Sequence, residues 1–134
     1  MDDIFVARLM STDLRTISPD TLVEDAAEAM LTNDVSSLIV VDDDGGLDGI
    51  LTTTDFVGIV AESHPKAETP VSRYMTTDVV TTTANTPIRD VADTITEHGF
   101  HHVPVVDEAE GVIGMLSTAD LAAYLAHVQT PEPV

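Results

Sequence analysis

Apolar positions along this chain alternate between two spacings. Leu22, Val23, Ala26, Ala27, Met30 and Leu31 recur at helical intervals, which places them on one face of a helix running to about Asn33. Ser37–Val41 follows as a run rich in β-branched residues, the pattern of a buried strand. Asp42-Asp43-Asp44-Gly45-Gly46 turns the chain, and Leu47–Thr52 returns, so the pair predicts a hairpin. Ahead of the first helix, Leu14–Ile17 reads as a short extended piece broken by Ser18-Pro19-Asp20. Thr21-Leu22-Val23-Glu24 has the form of a capping box, in which the Thr oxygen accepts from a backbone N–H and the Glu reaches back. A last helix is expected over about 54–61. The unit reads strand, helix, strand, strand, helix.

The same order then returns. Thr86-Pro87 opens a helix with Pro expected at its first position, where the missing N–H had no partner. Val103–Val106, Asp107–Gly111 and Val112–Ser117 repeat the hairpin, and a helix is expected over about 119–128. Val6–Glu62 lies over Val71–His127 at a constant offset of 65 without a gap, and eighteen of the 57 aligned positions are identical. Chance would match roughly one in twelve at this composition. The repeat is therefore real, and two similar units in a short chain are expected to pack about a pseudo-twofold axis, each offering the site the other offers. The division expected is 1–65 and 66–134, with 63–70 as linker and 130–134 as a frayed tail. Units of this size bury too little apolar surface alone, so they are expected to share a core.

Charge narrows the partners. The 134 residues carry 24 acids against 5 bases, a net −19, with Lys66 the single lysine. Such a field repels phosphates, so nucleic acid is a poor partner. Disorder, the ordinary reading of this much acid, conflicts with the apolar runs that recur on schedule. Adaptation to a salt-rich, haloarchaeal type of cytoplasm fits better, because a Debye length of about 3 Å at 1 M salt removes most of the self-repulsion. No cysteine is present, so disulfide and thiol chemistry do not apply. Met1-Asp2-Asp3 does not open a signal peptide and no apolar run approaches a membrane span. A soluble, cytoplasmic protein without membrane contact is expected.

The ends of the two hairpins carry the candidate chemistry. They read Gly49-Ile50-Leu51-Thr52-Thr53-Thr54-Asp55 and Gly114-Met115-Leu116-Ser117-Thr118-Ala119-Asp120. Ser/Thr-x-x-Asp before an apolar helix is itself a capping signature. Cap and site are compatible, however. A helix N-terminus with unsatisfied N–H groups and a hydroxyl is suited to phosphate. A nearby Asp can take both hydroxyls of a ribose.

With these residues in place, the chain resembles a tandem pair of CBS (cystathionine β-synthase) domains, a Bateman module, over Ala7–His127. The resemblance rests on Leu9-Met10-Ser11-Thr12 and Tyr74-Met75-Thr76-Thr77, on Ser18-Pro19-Asp20-Thr21, on His101-His102-Val103-Pro104-Val105-Val106-Asp107, and on the two Gly-to-Asp motifs. It implies an α+β fold of two βαββα units with their central sheets face to face. It also implies adenosine-type ligands (AMP, ADP, ATP or S-adenosylmethionine) in clefts between the units. By the same resemblance, two such modules associate into a disc-like homodimer. One cleft would combine Asp120, Ser117 and Ala119 with Met10, Arg15, Val35, Ser36 and Ile39. The other would combine Asp55, Thr52 and Thr54 with Met75, Val80, Phe100, His101 and Pro104. His102 stands where the family often places a basic residue facing phosphate. The chain departs from the family in lacking the usual Pro in Ser36-Ser37-Leu38-Ile39, and Arg15 is bulky for a place facing adenine.

Other chemistries find less support. His101 and His102 are adjacent on a strand and point to opposite faces, and with His98 they lack a third metal ligand at suitable spacing. The Asp42–Asp44 run lacks the spaced ligands and closing Glu of a calcium loop. Arg8 and Arg73 fit a salt bridge or a contact at a dimer edge or phosphate; Met10, Met75 and Met115 fit core filling. No nucleophile–base pair and no paired carboxylates are visible, so neither a catalytic residue nor a catalytic cofactor is expected. The expected function is a regulatory ligand-sensing module that passes its state to a protein target. The alternatives are a ligand-free dimerisation or docking scaffold and, more weakly, a divalent-ion sensor.

Overall fold

A computed structural model describes residues 4–62 and 68–128. The tail and the first part of the expected linker lie outside the described residues. The elements in chain order are α1 (Val6–Leu9), β1 (Thr16–Ile17), α2 (Val23–Asn33), β2 (Ser37–Val41), β3 (Leu47–Thr52), α3 (Thr53–Ala61), a 3-10 turn (Val71–Arg73), α4 (Ile88–His98), β4 (His102–Asp107), β5 (Gly111–Ser117) and α5 (Thr118–Val128). The mixed α+β class and the hairpins are as the apolar pattern predicts. Both helices after the hairpins begin one residue earlier than expected, an ordinary boundary difference.

The compact units divide the chain differently from the sequence repeat. One is Arg15–Val79; the other joins Met1–Leu14 to Val80–Val134. The divisions 1–65 and 66–134 follow the repeated text, whereas each compact unit takes its lead-in segment from the opposite repeat. Backbone hydrogen bonds show why. Thr76 exchanges N–H and C=O with Ile50, both at 2.9 Å, and Ser11 does the same with Met115 at 2.8 and 2.9 Å. Val71 N donates to Thr21 O at 2.8 Å, and Val6 N donates to Thr86 O at 2.9 Å. Every one of these bonds recurs at the offset of 65.

Within Arg15–Val79, β1 runs parallel to β2, and β2 pairs antiparallel with β3. Val23, Ala26, Met30, Leu38, Val40, Leu51 and Ile59 form the core, joined by Val71 from the lead-in segment. In the other unit β4 pairs antiparallel with β5, and Thr82 makes a single parallel bridge to Val105 in place of a first strand. Val91, Val103, Val105 and Leu116 form its core, with Val6 fully buried among them. Both hairpins slip register at the same place, between Val40 and Val41 and between Val105 and Val106. The Asp42 carboxylate holds the first turn by accepting from Asp44 N and Gly46 N at 2.9 and 2.8 Å. The acidic run thus has a structural task at its first member.

The expected capping box at Thr21–Glu24 is not formed. Leu22 is the N-cap of α2 and no side chain caps it. The first amide is satisfied differently: Val23 N donates to Thr69 O at 2.8 Å, and Leu22 bridges Pro70. Backbone from the lead-in segment removes the need for a side-chain cap. Pro87 likewise sits at the N-cap of α4 and not at the first helical position, and Ile88 N donates to Ile4 O at 2.8 Å. The helices close differently, on Gly99 at φ 73° and on Asp34 at φ 52°. Gly suits this left-handed position, and Asp is among the few other residues that tolerate it.

Two glycines make the exchange possible. A Cβ on Gly49 would lie 2.7 Å from Thr76 O and 3.1 Å from the Met75 side chain; one on Gly114 would lie 2.7 Å from Met10 Sδ and 3.1 Å from Ser11 O. At Gly49 the obstacle is backbone, so a side chain there is costly; at Gly114 it is chiefly the flexible Met10 side chain, with the Ser11 carbonyl needing to give only a few tenths of an ångström. Gly49→Ala is expected to cost about 1–3 kcal/mol by overpacking, read as a fall of several degrees in thermal midpoint. Gly58→Ala, where a Cβ meets nothing within 4 Å, serves as control and is expected to cause no such loss.

Candidate binding site at the N-termini of α3 and α5

Where β3 passes into α3 the sequence Thr52-Thr53-Thr54-Asp55 folds as a capping box. Asp55 N donates to Thr52 Oγ1 at 3.3 Å. Asp55 Oδ2 accepts from Thr52 N at 2.8 Å and from Thr52 Oγ1 at 3.2 Å. The passage from β5 to α5 repeats this: Asp120 N donates to Ser117 Oγ at 3.2 Å, while Asp120 Oδ2 accepts from Ser117 N at 2.9 Å and Ser117 Oγ at 3.1 Å. The capping role read from spacing is thus realised in both repeats. Both carboxylates remain half-exposed, and an acid at a helix N-terminus is favoured by the helix dipole.

The segments before β2 and β4 close onto these N-termini. Thr53 N donates to Ser36 O at 3.1 Å, and Thr118 N donates to His101 O at 3.0 Å. The cap thus satisfies the third amide of each helix and the preceding segment satisfies the first. Among the described residues, none accepts from Thr54 N or Ala119 N. That leaves one outward amide beside each carboxylate, at the two positions singled out from the sequence.

Arg15–Val79 therefore brings together Thr52, Thr54, Asp55 and Ser36, with Met75 against Gly49. Arg15 lies elsewhere in the sheet, its carbonyl accepting from Ile39 N at 3.1 Å; Val35 is half-buried beside the core. The other unit brings together Ser117, Ala119, Asp120, His101 and His102, with Met10 against Gly114. Phe100 stacks on His98 with ring centroids 5.9 Å apart. Val80 is half-buried, whereas Ile39 and Pro104 are buried. Thr76 was not among the sequence candidates, yet its Oγ1 donates to Asp55 Oδ1 at 3.3 Å. The available signal was its place directly after Met75 in the repeated lead-in motif.

His102 pairs across the hairpin with Ser117, the cap of α5. Burial lowers its pKa from the ordinary 6.5, the neighbouring His101 lowers it further, and Asp120 pulls it up. The net direction is down, so His102 is held as a neutral imidazole near pH 7. Among the described residues, no cluster of three His, Cys, Asp or Glu side chains could hold a metal ion, and no helix is long and apolar enough to cross a membrane.

With this geometry established, comparison with known proteins places the chain. The CBS domain profile matches twice, at residues 6–62 and 71–127. The chain belongs to the CBS domain family and is a tandem pair of its units. It is 32% identical over 125 residues to an uncharacterised 17.7 kDa protein of Acidianus ambivalens, covering 93% of this chain and 75% of that protein. It is also 32% identical to a homoserine O-acetyltransferase of Methanosphaerula palustris, but spans only 25% of that enzyme. Among solved structures, the CBS domain pair of protein MJ0100 in complex with 5′-methylthioadenosine and S-adenosyl-L-methionine superposes with a TM-score of 0.88 at 23% identity, over 96% of this chain and all of that one. The protein CBSX2 in complex with AMP gives 0.81 at 24% identity, over 93% and 98% of the two chains.

The depressed His102 pKa has a consequence for stability. The unfolded chain binds a proton at His102 near pH 6.5, whereas the folded chain resists it until lower pH. Folding stability is therefore lost as pH falls below about 6.5, and this group costs nothing above it. In thermal unfolding from pH 7.5 to 5.0, His102→Asn is expected to flatten the fall in midpoint. An unchanged slope would show that His102 titrates alike in both states.

Proposed function

We propose that this CBS pair is a regulatory module binding an adenosine-containing ligand, not an enzyme. The observation that carries the reading is the twice-built arrangement of a half-exposed Asp carboxylate, a cap hydroxyl and an outward amide at a helix N-terminus. A cis-diol suits the carboxylate through charge-assisted hydrogen bonds, and a phosphate or carboxylate suits the amide. The relatives solved with S-adenosylmethionine, 5′-methylthioadenosine and AMP support the ligand class. Asp120 and Asp55 are the ribose residues in this proposal, with Ser117, Ala119, Thr52 and Thr54 beside them. The assignment of Met10, Arg15, Val35, Ser36 and Ile39 to the Asp120 ligand follows from the family resemblance and belongs to the same proposal. So does that of Met75, Val80, Phe100, His101 and Pro104 to the Asp55 ligand. A neutral His102 and five bases in the chain favour AMP or the cationic S-adenosylmethionine over a triphosphate.

Association and setting complete the proposal. Val57 and Val60 on α3 are 69% and 80% exposed, and Leu125 on α5 is 52% exposed. Val60 and Leu125 hold the same place in the two repeats. Apolar residues repeated at one exposed position support a homodimer through these helices, and the same feature supports the scaffold reading should ligand binding be absent. The charge of −19 supports a salt-rich cytoplasm.

Thermal unfolding in about 2 M KCl with AMP, ADP, ATP, S-adenosylmethionine, S-adenosylhomocysteine and NAD in parallel tests the ligand class. A ligand at 100 times its Kd adds about 2.7 kcal/mol, so a rise of several degrees is expected with at least one adenosine compound. Asp120→Ala is expected to reduce that rise. A rise unaffected by Asp120→Ala and Asp55→Ala would remove the carboxylates from the site, and no rise with any compound would favour the scaffold.

A further inference from the structure

The two carboxylates differ in what they have left to offer. A carboxylate has about four acceptor positions. At both sites Oδ2 takes the N–H and the hydroxyl of the cap residue. Asp55 then takes a third donor, the Thr76 hydroxyl at 3.3 Å from Oδ1. Thr76 is fixed in place because its N–H and C=O are both paired with Ile50. The corresponding residue in the other unit is Ser11, held by the same backbone pair to Met115. Among the described residues, however, the hydrogen bonds to the Asp120 carboxylate all fall on Oδ2.

A vicinal diol donates two hydrogen bonds. Asp120 can accept both at Oδ1 without losing anything, whereas Asp55 can accept both only by releasing Thr76. A hydrogen bond to a charged group is strong enough that its loss is felt as about tenfold in affinity. We propose that Thr76 is an internal competitor for the Asp55 site. Its hydroxyl occupies the oxygen a ribose would use, so the Asp120 site fills first and the Asp55 site answers only to higher ligand concentration. Such a chain reports two concentration ranges of one ligand. The inference rests on the adenosine-binding reading above and adds an order to its two sites.

Titration calorimetry of the full chain with AMP, and separately with S-adenosylmethionine, tests it. The wild type is expected to show two steps about tenfold apart. Asp120→Asn should leave only the weaker step, and Thr76→Val on that background should tighten it about tenfold. Thr76→Ala gives the same reading as Thr76→Val if the branched side chain disturbs folding, which thermal unfolding of each variant checks. An Asp55-dependent step that Thr76→Val leaves unchanged or weakens would overturn the inference while leaving the adenosine site standing. Binding that neither Asp55→Asn nor Asp120→Asn alters would overturn both.

Discussion

The structure depends on one exchange of backbone hydrogen bonds. Ser11 pairs with Met115 and Thr76 with Ile50, and each pair fixes a lead-in segment across the strand that ends at a candidate site. The pairing brings Val6 and Val71 into cores they could not reach within their own repeats. It also satisfies the first amides of α2 and α4 through Thr69 and Ile4. Neither repeat holds a complete unit, since each lacks the segment that seals it. Gly49 and Gly114 are the condition for this exchange, because any side chain at those positions would meet the incoming backbone or methionine.

The same exchange shapes the chemistry. By pinning Thr76 beside Ile50, it sets a hydroxyl next to Asp55. The short distance along the chain from Ile50 to Asp55 then places strand end, cap and carboxylate in one locus. Two nearly identical loci arise from repetition. The differences between them arise from a few substitutions: Ser11 for Thr76, Ala119 for Thr54 and His102 for Ser37. A repeated fold thus provides two similar loci, and single side chains make their hydrogen bonding unequal.

Much of this was legible in the sequence. The offset of 65, the hairpins, and the cap at Thr52–Asp55 and Ser117–Asp120 follow from local spacing, and local spacing is what sequence patterns record. The helix starts at Leu22 and Pro87 did not follow. Their amides are satisfied by backbone from distant segments, which leaves no side-chain signature to find. The compact units were hidden for the same reason: β-pairing of Ser11 and Thr76 is a long-range backbone event, and only Gly49 and Gly114 hint at it. Thr76 was overlooked as a site residue because its hydroxyl meets Asp55 only once the lead-in segment has crossed the hairpin.

The central claim is that the carboxylates capping α3 and α5 hold the ribose of an adenosine ligand. A crystal structure grown with S-adenosylmethionine or AMP tests it most directly. The account predicts the ribose hydroxyls on the carboxylate of Asp120, with the hydrogen bonds from Ser117 to Oδ2 retained. A ligand seated away from both Asp120 and Asp55, or carboxylates that keep their present partners while the ligand binds elsewhere, would contradict it.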